Sequence, residues 1–189
     1  MSIRLGFAMC GSFCTFKQVI PQMYRLAEEG YEIFPIMSFN AHSTDTRFGS
    51  SASFVSEIEG LTGKKIISSI ASAEPIGPKK LLDILLVAPA TGNTIAKIAA
   101  GISDTPVTLA VKSHLRNSRP VVIAVSTNDA LSGNAANIGS LLSRKGFYFV
   151  PFSQDDPQGK PCSAVADFTL IPDTVRYALE ARQLQPLLR

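Results

Sequence analysis

The stretch Leu81-Leu82-Asp83-Ile84-Leu85-Leu86-Val87-Ala88-Pro89-Ala90-Thr91-Gly92-Asn93-Thr94 decides how the rest of the chain is read. Its apolar run predicts a strand buried on both faces and ending at Pro89. Small residues with hydroxyl and amide groups follow, and Ile95, Ile98 and Ile102 then share one face of a helix. Open α/β sheets bind phosphorylated ligands with this arrangement of strand, polar turn and helix start, at the carboxyl ends of their strands.

The same alternation extends in both directions. Towards the N-terminus, Ile3 to Met9 predicts a strand and Cys10-Gly11-Ser12 a tight turn. A helix then runs to about Glu29, stopped by Gly30, with Pro21 either kinking it or opening its regular part. Tyr31 to Met37 is a second strand, followed by a polar loop from Ser38 to Asp45. Phe54, Val55, Ile58 and Leu61 have helical spacing, and Lys65 to Ile70 is expected as a further strand. Beyond the opening stretch, helices are predicted over about Gly92–Gly101, Thr105–Leu115, Ser132–Lys145 and Asp173–Arg182. Pro120–Val125 and Phe147–Phe152 are predicted strands, the second being the last. Strands separated by helices imply a parallel sheet covered on both faces. The expectation is one Rossmann-like, doubly wound domain spanning residues 1–189.

Composition narrows the function. An apolar fraction of 46% with 17% charged residues is that of a globular domain. The net charge of +3 is spread thinly, without the clustered Lys/Arg footprint of a nucleic-acid binder. No apolar run has the length of a membrane span, and no basic-then-apolar leader opens the chain, so a cytoplasmic location is expected. Cys10, Cys14 and Cys162 lack paired spacing and read as reduced thiols, with Cys10 and Cys14 as small buried packing residues. No metal site is predicted.

Loops of small polar residues follow several strands: Gly11-Ser12, Ser38-Phe39-Asn40, Thr91-Gly92-Asn93-Thr94 and Ser126-Thr127-Asn128-Asp129. In a parallel sheet all four lie along one edge, where backbone N–H groups and hydroxyls can hold a phosphate. Neither Gly-x-Gly-x-x-Gly nor Gly-x-x-x-x-Gly-Lys-Ser/Thr is present, which favours a mononucleotide over NAD or ATP. Taken singly, each loop also reads as ordinary turn and cap residues.

Pro89-Ala90-Thr91-Gly92-Asn93-Thr94 resembles the Pro-Ala-Ser-Ala-Asn-Thr loop of a flavoprotein family, the homo-oligomeric flavin-containing cysteine decarboxylases and their relatives. Ala96-Lys97-Ile98-Ala99-Ala100-Gly101-Ile102-Ser103-Asp104 is similar to that family's helix ending in Gly-Ile-Ala-Asp, and Asn128 matches its substrate-loop Asn. The resemblance runs from Leu5 to about Asp167. It implies a bound FMN held by Gly11, Ser12, Ser38, Thr91 and Asn93, and a homo-oligomer.

Longer matches, including Thr46-Arg47-Phe48-Gly49, Glu74-Pro75-Ile76-Gly77-Pro78 and Pro151-Phe152-Ser153-Gln154-Asp155-Asp156-Pro157, narrow the resemblance to one branch of the family. In that branch a flavoprotein works with a partner protein that carries a nicotinamide-dinucleotide domain. Together the two oxidise a cyclic dihydropyridine-type dicarboxylate to its aromatic form during sporulation. Where the decarboxylases carry a catalytic His this chain has Pro75, and of their clamp Pro-x-Met-Asn-x-x-Met-Trp only Asn128 survives. The alternatives are a flavin-dependent decarboxylase or flavin prenyltransferase of the same fold, or a non-catalytic cofactor carrier.

Four further residues or segments carry expectations. His42, at the cofactor edge, is an acid–base candidate beside Asn128, or else a solvated loop residue. Arg47 is expected to hold a substrate carboxylate, because its planar fork pairs with carboxylates; the alternative is a surface Arg paired with Asp45 or with a helix end. His114 is expected as a structural residue whose cation complements a helix end. The turn-rich loop Ser153–Pro161 is expected either as a mobile lid or as a plain surface excursion.

Overall fold

A computed structural model describes residues 2–189. The chain begins with β1 (Arg4–Met9), α1 (Phe16–Glu28) and β2 (Glu32–Met37). Three helices follow, α2 (Phe39–Ser43), α3 (Ser51–Thr62) and α4 (Ile70–Ala73), before β3 (Ile84–Ala90). Next come α5 (Gly92–Ala99), α6 (Pro106–Leu115) and β4 (Val121–Thr127). The last elements are α7 (Ala135–Leu142), β5 (Phe147–Phe149), β6 (Phe152–Ser153), β7 (Ala164–Ala166) and α8 (Ile171–Leu179).

The strands form one seven-stranded sheet of order β2-β1-β3-β4-β7-β6, with β5 also paired to β4. β1 lies parallel to both β2 and β3, and β3 and β5 lie parallel to β4. β7 runs antiparallel to both β4 and β6. The Rossmann-like, doubly wound expectation holds for the fold. The wholly parallel sheet does not.

All seven residues of β3 are buried, which accounts for its unbroken apolar run. Each fully buried Leu, Ile or Val there contributes about 1.5–3 kcal/mol. α1 presents Phe16, Val19, Ile20, Met23 and Leu26 to the core, and Pro21 sits inside the helix with its ring exposed. The chain leaves α1 through Gly30, whose φ of +90° suits glycine. α1 packs on α8, while α5 packs between α6 and α7.

Several boundaries differ from the sequence reading. The strand expected over Lys65–Ile70 reduces to one bridge, Ile67 to Ile36, because Ser69 and Ser72 cap each other and start α4. The polar loop after β2 contains α2, whose first turn Ser38 caps. β3 continues through Pro89 to Ala90, with its register against β4 shifting between Val87 and Ala90. The Phe147–Phe152 strand splits around Pro151, which has no N–H for a ladder. The chain then turns, so that β6 pairs with the unforeseen β7. α7 and α8 are shorter than expected, and α8 begins earlier, with Pro172 in its first turn. No helix among the described residues is long and apolar enough to cross a membrane.

Candidate functional site

The carboxyl ends of the parallel strands open into a crevice. Its larger chamber, about 910 Å³, is lined by Gly11 and Ser12 after β1, Thr91 to Asn93 after β3, and Ser126 to Asp129 at the end of β4. A second chamber of about 380 Å³ shares Gly11, Thr91 and Asn93 and adds Ser38 to Asn40 after β2, together with Lys97. Both volumes lie in the range of small-molecule sites.

Local sequence explains the shape. Thr91 is extended (φ −76°, ψ 157°) and its side chain accepts from the Thr94 N–H at 3.4 Å, capping α5. The N–H groups of Gly92 and Asn93, in the first turn of α5, have no intrahelical acceptor. The Ser12 and Ser126 hydroxyls lie 2.8 Å apart, tying the β1 loop to β4. The Ser38 hydroxyl accepts from the Ala41 N–H at 3.2 Å, and its own proton stays available to a ligand. Beneath this layer the Thr94 hydroxyl donates to Cys10 Sγ at 3.3 Å, and burial pushes the Cys10 thiol up to about 11, which keeps it protonated and inert.

The charges are fixed as well. Asp129 accepts from the Thr127 hydroxyl at 2.5 Å and from Asn134 Nδ2 at 2.7 Å, and Asn134 accepts from Asn137 at 2.9 Å. Asp155 is held below the usual carboxylate range by the Ser163 hydroxyl and then by Lys160, whose Nζ lies 3.1 Å away. Lys97 pairs with Asp104 at 2.8 Å. The crevice is therefore built mainly of neutral hydroxyl, amide and N–H donors, with Lys97 lining the smaller chamber and Lys160 lining the larger one beside the carboxylates of Asp129 and Asp155.

Of the residues singled out from sequence, Gly11, Ser12, Thr91, Asn93 and Asn128 line the larger chamber, and Ser38 lines the smaller one. His42 lines neither; it lies half-buried on α2. Arg47 also lies outside both. Its guanidinium stands 4.9 Å from the centroid of the Phe48 ring, and that ring lines the larger chamber. Asp45, the alternative partner for Arg47, accepts instead from Ser51.

Two readings are corrected. Cys14 is exposed on the crevice wall rather than packed inside. His114 is buried and holds the Pro120 carbonyl oxygen at 3.0 Å through Nε2; burial pushes its pKa down to about 4, so it is neutral and does not act as a helix-end cation. The lining residues that sequence reasoning did not single out include Phe13, Phe48, Lys97 and Lys160. Lys97 lay within a quoted motif, but its motif position gave no sign that it faces a chamber.

The chain matches the Flavoprotein family model over residues 1–167. It is 50% identical over 185 residues to the B subunit of dipicolinate synthase from Bacillus subtilis (strain 168), covering 98% of this chain and 92% of that protein. It superposes on the crystal structure of the corresponding B subunit from Bacillus halodurans with a TM-score of 0.91 at 43% identity, covering 100% and 98% of the two chains. The FMN-dependent cysteine decarboxylase SpaF shares the fold, with a TM-score of 0.66 at 23% identity over 95% and 97% of the two chains. Both the broad resemblance and the narrower branch read from the sequence are borne out, and the chain belongs to the Flavoprotein family.

Proposed function

We propose that the chain binds FMN in the crevice and serves as the flavoprotein component of a dipicolinate synthase. There it would work with the synthase's A subunit to oxidise a dihydrodipicolinate-type dicarboxylate to dipicolinate during sporulation. One observation carries this reading. Loops from β1, β2 and β3 converge hydroxyl and N–H donors on two adjoining chambers. That donor set fits a flavin mononucleotide. The capped start of α5 and the Ser38 hydroxyl suit a phosphate, with Lys97 as the nearby cation. The names of the two dipicolinate synthase relatives support the synthase assignment.

Gly11, Ser12, Ser38, Thr91 and Asn93 would hold the cofactor. Bound FMN would supply a two-electron acceptor for a ring that gains aromaticity as it is oxidised. The protein's share is positioning and electrostatics. Ser12 is oriented by Ser126, and Asp129 is held rigid by Thr127 and Asn134, so neither must reorganise when a ligand enters. Arg47, outside the chambers but stacked near the Phe48 ring that lines the larger one, would pair with a substrate carboxylate at its mouth. Asn128, lining the larger chamber, would orient the substrate ring.

Decarboxylation is the poorer reading. Pro75 offers no acid or base, and Thr127, Leu131 and Ser132 replace the bulky clamp residues. Homo-oligomerisation is part of the proposal, supported by exposed Phe39 (45%) and Leu131 (52%), which flank the site loops. A strictly monomeric mass by light scattering at micromolar concentration contradicts that part. The function itself is tested by mixing purified chain, FMN and the co-expressed A subunit with the dihydro substrate and following dipicolinate absorbance. Synthesis is expected only with both proteins; equal synthesis without this chain overturns the reading.

A further inference from the structure

We propose that a separate cavity, at the opposite edge of the sheet from the crevice, binds a small carboxylate with an apolar ring or branched body. The cavity encloses about 380 Å³ between the C-terminal ends of α5 and α6 and the start of β5. Helices following parallel strands run back along the sheet, so these ends lie far from the FMN crevice. The floor is apolar and well packed: Ile98, Val111 and Phe147 are 6%, 2% and 9% exposed. Ile102 stands at the rim, 47% exposed.

Three cations surround this hollow: Lys112, Arg144 and Lys145. Among the described residues, none of them pairs with a carboxylate. Helix ends explain part of the pattern, since Arg144 NH2 donates to the Ala99 carbonyl at 2.7 Å and to Ser140 Oγ at 3.0 Å. Only one nitrogen of that fork is engaged. Lys112 reaches only the Ser103 hydroxyl, at 3.4 Å. Capping therefore accounts for neither Lys145 nor the apolar hollow between the three charges. An apolar body on the floor with its carboxylate among the cations satisfies both features. The volume, at the lower end for ligand sites, suits a single ring.

Benzoate is the probe, added to the full-length protein and followed by calorimetry and amide chemical shifts. Saturable binding is expected, equal in the wild type and in Ser12→Trp, which blocks the crevice. Lys112→Glu with Lys145→Glu should weaken it by about tenfold or more. The milder pair Lys112→Ala and Lys145→Ala should weaken it in the same direction if the reversals disturb folding. Inorganic phosphate should not displace benzoate at equal concentration. Absence of saturable binding, loss of binding in Ser12→Trp, undiminished binding in both lysine pairs, or displacement by phosphate would overturn the proposal.

Discussion

Gly92 stands so close to Asp129 that a Cβ added to it would lie 2.5 Å from Asp129 Oδ1. The same Cβ would meet Thr127 Oγ1 at 2.5 Å and Asn134 Nδ2 at 2.6 Å. The start of α5 is thus seated directly on the hydrogen-bonded carboxylate at the end of β4. A side chain there must displace one or the other. Gly92→Ala is expected to cost about 1–3 kcal/mol in urea unfolding, the usual penalty of overpacking. It should also weaken FMN binding, because Thr91 and Asn93 move with it. An unchanged midpoint together with unchanged affinity would show that the contact is loose.

His114 makes stability depend on pH. The unfolded chain takes up its proton near 6.5, whereas the buried ring does so only near 4. The folded state therefore binds fewer protons between those values. The contribution is fully present above pH 6.5 and is lost as pH falls towards 4. The span corresponds to about 3 kcal/mol. His114→Gln should lose correspondingly less stability as the medium is acidified from neutrality into that window. Parallel pH profiles for the two proteins would exclude this origin.

Arg47 gives a test of substrate binding. With the dicarboxylate substrate and the reconstituted two-component enzyme, Arg47→Ala should raise KM by about one to two decades, the worth of a charge-assisted hydrogen bond. Arg47→Lys should recover only part of this, because Lys lacks the planar fork. An unchanged KM in Arg47→Ala eliminates the role.

The segment between β6 and β7 contributes Asp155 and Lys160 to the larger chamber. If it closes over bound substrate, replacing residues 155–160 by a short Asn-Gly turn should reduce turnover far more than FMN affinity. Loss of both, or of neither, argues for a plain surface excursion.

How much of this was legible depended on the length of each signal. The β3–α5 unit was readable because seven buried residues and a helical face of Ile95 and Ile98 each carry a full period. β6 and β7 have two and three residues, too few to show alternation, and they pair because the chain doubles back between them and lays β7 against β4. Ile66-Ile67 looked like a strand, but the capping pair Ser69 and Ser72 claimed the next turn for a helix. Within the site, the strand-end donors were visible as loop chemistry. The fixing of Asp129 by Asn134 was not, because it depends on a turn that folds back and on the absence of a side chain at Gly92. The charge state of His114 is hidden for a related reason: its helix position suggests a cation, while burial keeps the ring neutral against the opposing pull of the Pro120 carbonyl.

The most direct measurement is titration of the purified, cofactor-stripped chain with FMN, followed by calorimetry and by the flavin absorption band. Saturable binding of one FMN per chain is expected. It should be abolished in a Ser12→Trp, Thr91→Trp double variant whose circular dichroism and cooperative urea transition show that it stays folded, with the midpoint lowered only by the lost cap of α5. Failure of the wild-type chain to bind FMN, or undiminished binding by the double variant, would contradict the assignment of the crevice.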